Sequence, residues 1–61
     1  IVMILERYII EFYRYNIFDE LAVLRRVHAE FESYDAARVW AQNELYHMPN
    51  NVVRANVFID F

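Results

Sequence analysis

Ser33-Tyr34-Asp35 divides the middle of this chain in two. A serine ahead of a run of helix formers accepts a hydrogen bond from a first-turn amide. An aspartate in that turn sits well against the positive end of the helix dipole. Beyond them Ala37, Trp40, Ala41, Leu45 and Met48 recur at helical spacing as one apolar stripe. Pro49 and Asn50-Asn51 stop it. A single helix from Asp19 to Met48 would hold this start signal in its own interior, so the segment before Ser33 is expected to be something else.

The flanking segments alternate. Leu5 to Tyr15 is rich in β-branched and aromatic residues, with Tyr8, Ile10 and Phe12 on one face and Arg7, Ile9, Glu11 and Tyr13 on the other. Apolar groups on both sides suit a central strand. Asn16 and Asp19 are turn formers within Asn16–Glu20. Leu21 to Phe31 fits two periods. Leu21, Val23, Val27, Ala29 and Phe31 share a strand face interrupted by Arg25, while Leu21, Leu24, Val27 or His28, and Phe31 make a helical stripe. The cap at Ser33 favours the strand. Val52 to Phe61 alternates most cleanly, with Val53, Ala55, Val57, Ile59 and Phe61 facing one way and Val52, Arg54, Asn56, Phe58 and Asp60 the other.

These elements predict an α+β fold of strand–strand–helix–strand order, one domain over residues 1–61. The first two strands make a hairpin and a right-handed crossover carries the helix over one face. The third strand lies beside the first. The result is a three-stranded antiparallel sheet of order 2-1-3 with its most apolar strand in the middle.

Composition sets what must hold such a fold together. A chain of 61 residues buries a modest share of its surface. Cysteine is absent, which removes disulfides and thiolate metal sites. An apolar core and self-association remain as stabilising routes, and 59% hydrophobic and 18% aromatic residues fit both. The apolar opening Ile1–Leu5 is shorter than a signal-peptide core or a membrane span and runs at once into Glu6 and Arg7. The expectation is a cytoplasmic protein with no membrane partner. Met3 is a candidate natural start, which would make Ile1 and Val2 extraneous.

Catalytic machinery is not expected. Ser33 is the only serine and is accounted for as a cap; threonine and cysteine are absent. His28 and His47 have no second ligand at metal spacing, and His47 falls where an imidazole suits the end of a helix. Glu11 and Glu30 share the sheet face away from the helix, but an acid–base pair also needs a concave pocket. The absence of glycine removes a glycine-rich phosphate loop. No cofactor, metal or small-molecule substrate is expected.

The informative feature is the sheet face away from the helix. It is expected to carry Arg7, Ile9, Glu11, Tyr13 and Tyr15, then Leu24, Arg26, His28 and Glu30, then Arg54, Asn56, Phe58 and Asp60. Exposed apolar groups mixed with arginine and tyrosine are the mark of an interaction surface. All six basic residues are arginine, which suits planar and stacked contacts. The candidate interaction residues are therefore Arg7, Ile9, Tyr13, Leu24, Arg26, His28, Arg54 and Phe58. The expected partners are a second copy, through this face or an edge strand, and an unidentified protein. The alternative is single-stranded nucleic acid, with Tyr13 and Phe58 as stacking platforms and Arg7, Arg26 and Arg54 on phosphates. Glu11, Glu30, Asp60 and a net charge of −3 work against it.

The stretch from His28 to Ala41, HAEFESYDAARVWA, resembles a pattern in small phage and prophage proteins. There a strand ending in an aromatic leads into Ser-x-x-x-Ala and an alanine-rich helix, followed by a last strand. The phage-encoded inhibitors of host RNA polymerase are similar in size and element order, and the resemblance covers roughly the last two-thirds of the chain. It implies a small accessory protein of a phage or mobile element, acting in the host cytoplasm by binding another factor. Those inhibitors rely on arginines late in the chain, and only Arg54 lies in the matching strand here, so no binding residue is carried over.

Overall fold

The computed structural model describes residues 4–61; the question of a start at Met3 lies outside them. Four elements follow in the expected order: β1 (Glu6–Tyr15), β2 (Leu21–Phe31), α1 (Tyr34–Tyr46) and β3 (Val52–Ile59). The segment before Ser33 is a strand. The sheet runs β2-β1-β3, antiparallel at both junctions.

The local chemistry is the expected one. Ser33 has extended backbone and its hydroxyl accepts from the Ala36 amide at 3.0 Å. Asp35 occupies the first turn and also accepts from Arg38 at 3.1 Å. The helix ends with His47 as its C-cap, one position past the last turn, its amide donating to the Glu44 carbonyl at 3.0 Å. In the hairpin turn the Asn16 Oδ1 accepts from the Phe18 and Glu20 amides at 2.9 and 3.0 Å. Asp19 takes a positive φ of 60°, a left-handed conformation that a short polar side chain tolerates.

Tyr8, Ile10 and Phe12 of β1 are fully buried beneath the helix. Burial of Ile10 and Phe12 stabilises the fold by about 1.5–3 kcal/mol each. Ala37 and Ala41 are the buried helix residues, small enough to let α1 lie close on the sheet. Trp40 packs its ring 6.5 Å from Phe12 and 5.8 Å from Phe31. Leu45 and, just past the end of α1, Met48 join Val27, Ala55 and Val57 in packing against the buried cluster of Ile10, Phe12, Ala41 and Val52.

Two irregularities break the simple alternation, both beside Tyr13. On one side Phe12 pairs with Arg25 but Tyr13 pairs with Val23, so Leu24 is an extra residue on β2. On the other side Tyr13 pairs with Arg54 but Arg14 pairs with Val52, so Val53 is an extra residue on β3. Each bulge shifts the strand beyond it by one residue, and a one-residue shift exchanges the two faces. This corrects the expected pattern in two places. Val52, not Val53, is the core valine: Val52 is 6% exposed and Val53 is 47% exposed. Leu21 and Val23 pair with Tyr15 and Tyr13 and leave the core side, where strict alternation had placed them.

β3 reaches β1 only as far as Arg14, so the last row of the hairpin, Tyr15–Leu21, and its turn project beyond the third strand as a short arm. The molecule is long and thin, 49 × 23 × 12 Å.

Candidate interaction face

The sheet face opposite α1 is built as four rungs, each centred on an odd-numbered residue of β1. Reading from β2 through β1 to β3, they are Glu30–Arg7–Asp60, His28–Ile9–Phe58, Arg26–Glu11–Asn56 and Val23–Tyr13–Arg54. Charge is balanced across them: three arginines meet three carboxylates. Seven of the eight expected interaction residues stand on these rungs. Leu24 does not; it is the bulge residue on β2, about half exposed, and Val23 holds the place opposite Tyr13. Tyr15 lies at the base of the arm, exposed.

Glu11 organises the face. Its Oε1 accepts from the Tyr13 hydroxyl at 2.7 Å and its Oε2 accepts from Arg26 Nε at 2.7 Å. The hydrogen bond from Tyr13, then that from Arg26, hold the Glu11 carboxyl below its ordinary range against the opposing effect of burial. The same bond to Glu11, helped by burial, pushes the Tyr13 hydroxyl up. Glu30 is on a different rung, opposite Arg7, so the two glutamates do not form a pair. His28 lies 3.8 Å from Asp60 across the sheet. Under the helix, burial and then Glu6 push the Tyr8 hydroxyl up; it donates to Glu6 at 3.0 Å.

The apolar content of the face is less exposed than strand alternation suggests. Ile9 and Tyr13 are half-buried among their longer neighbours, and Phe58 is the open aromatic. Arg26 is engaged by Glu11, whereas Arg54 makes no ion pair among the described residues.

Sequence reading did not single out the arm. Ile17 and Phe18 at its tip are 93% and 73% exposed, and Leu21 at its base is partly exposed. Ile17 and Phe18 were legible as two apolar residues inside a turn, which is unusual for a segment that faces water. Val39 and Tyr46 on the outer side of α1 are also exposed, beside a shallow depression lined by Arg38, Gln42 and Asn43.

No helix among the described residues is long and apolar enough to cross a membrane. Compared with known proteins, the chain matches no family model, no curated protein and no solved structure.

Proposed function

We propose that this chain is a small non-enzymatic accessory protein, of the phage or mobile-element kind, that acts by binding other protein and associates with a second copy of itself. The observation that carries the reading is the unequal coverage of the sheet. One helix covers one face, while the opposite face, with Ile9, Tyr13 and Phe58 among balanced charges, has no layer over it among the described residues. A surface of this composition suits a protein partner. A polyanion is a poorer fit, because Arg7 and Arg26 each stand beside a carboxylate, and Arg26 is already paired with Glu11.

Sedimentation over a wide protein concentration range, run beside titration with single-stranded RNA at two salt concentrations, tests this. The expected result is self-association and no salt-sensitive RNA binding. Micromolar RNA binding that weakens with salt and is lost in Tyr13→Ala would replace the reading with the nucleic-acid one.

A further inference from the structure

The two edges of this sheet are unlike. In an antiparallel ladder, residues alternate between bonding to the neighbouring strand and pointing their backbone groups away from it. The Asp60 amide donates to the Arg7 carbonyl at 2.9 Å, which fixes the phase. Asp60, Phe58, Asn56 and Arg54 bond inward to β1, and Ala55, Val57 and Ile59 point their N–H and C=O groups outward on the free edge of β3. By the same alternation Glu30, His28 and Arg26 point outward on the free edge of β2. Charged residues blunt an edge against pairing with another chain. The β2 edge has Arg25, Arg26 and Glu30, whereas the β3 edge, counted through Asp60, has two charges of opposite sign, Arg54 and Asp60, and no proline or lysine.

We infer that two copies of this chain join through their β3 edges, antiparallel, about a two-fold axis at Val57. This rests on the self-association proposed above and specifies the surface that makes it. The register is selected by the side chains. With the axis at Val57, Ala55 of one copy exchanges both backbone bonds with Ile59 of the other, and all of these groups already point outward. On the open face the register sets Arg54 opposite Asp60 of the second copy, twice by symmetry, and directly opposed unlike charges stabilise an antiparallel pair. Beyond that pair the register sets exposed Val53 against exposed Phe61. Moving the axis to Asn56 instead opposes Arg54 to Phe58 and Asp60 to the core residue Val52, losing the ion pairs.

The assembly is a continuous six-stranded sheet made from two three-stranded ones. Its two helices lie on one side and its two open faces lie together on the other, so the recognition surface is doubled.

Hydrogen exchange of individual amides by NMR, at dilute and concentrated protein, reads the edge directly. The amides of Ala55, Val57 and Ile59 are expected to gain protection with concentration, while those of Arg26, His28 and Glu30 do not. In sedimentation, Arg54→Asp is expected to weaken the dimer about tenfold or more, and Arg54→Asp combined with Asp60→Arg to restore it. A dimer whose β3 amides exchange as freely as those of β2, or which Arg54→Asp leaves intact, overturns the edge assignment and spares the self-association reading. A chain that stays monomeric at every concentration overturns both. If Arg54→Asp does not fold, the exchange pattern of the unaltered chain decides alone.

Discussion

The exchange of Val53 for Val52 in the core gives a sharp test, because the two residues are identical and adjacent and only the bulge distinguishes them. Val→Ala removes two methyl groups' worth of buried surface. At about 0.8 kcal/mol per buried carbon, Val52→Ala forfeits roughly 1.6 kcal/mol, and the cavity left between α1 and Phe12 raises this to about 2–2.5 kcal/mol. Val53 is half exposed, so Val53→Ala is expected to cost about 0.5–1 kcal/mol, mostly through strand preference. A domain of this length has about 3–9 kcal/mol in total, so the first change is a large fraction of it. Urea denaturation followed by Trp40 fluorescence measures both, since Trp40 packs against Phe12 and Phe31. With a slope near 1 kcal/mol/M, Val52→Ala lowers the midpoint by about 2 M and Val53→Ala by less than about 1 M. The protein is kept dilute, so that any contact of Val53 with a second copy does not enter. Equal losses, or a larger one for Val53→Ala, would refute the bulge and restore unbroken alternation through the start of β3.

Further outcomes follow from the same geometry. Ser33→Ala leaves the Ala36 amide without its acceptor and is expected to cost about 0.5–2 kcal/mol in the same assay, with Ser33→Asp close to neutral. Asp19→Val forces a β-branched residue into a positive φ and is expected to cost about 1–2 kcal/mol, while Asp19→Gly is tolerated. Glu11 has a folded pKa below its ordinary value of 4.5, so its contribution is complete above that value and is lost as pH falls from it through the lower folded one. Stability measured across that acid range is expected to fall less steeply in Glu11→Gln than in the unaltered chain. Tyr13 has the opposite sign: its folded pKa lies above 10.0, so its contribution persists below that value and disappears as pH rises past the folded one. Tyr13→Phe is expected to make the alkaline fall in stability shallower, leaving the share that Tyr8, also raised, contributes.

Much of the fold was legible because its determinants are local. The cap at Ser33 and the turn residues Asn16 and Asp19 each act within a few residues of themselves and stand where they were expected, while the helix ends at Tyr46, short of the expected Met48. The ambiguity over Leu21–Phe31 was resolved by a signal outside that segment, the helix start that follows it. Two alternating strands, an apolar first strand and one helix stripe then leave few ways to bury every apolar face, and the order β2-β1-β3 is the one observed.

The interaction face was legible only in part. Arg7, Ile9, Arg26 and His28 lie on the unbulged part of the sheet, where period two holds from the sequence to the structure. Leu24 was misplaced because a bulge belongs to two strands at once and leaves no mark in the periodicity of either. The arm escaped notice for a similar reason: that Ile17 and Phe18 stand clear of the core depends on β3 running out opposite Arg14.

The sequence by itself determined which segments are strand and helix, where the chain turns, and which residues of β1 and α1 form the core. Those outcomes depend on backbone preference and on side-chain period within one segment. Only the tertiary structure decided that both neighbours of β1 bulge at Tyr13, that Val52 displaces Val53, that Glu11 gathers Tyr13 and Arg26, and that β3 offers the less protected edge. Each of these depends on register between strands, which is fixed by packing across the whole sheet and by no single stretch of the chain.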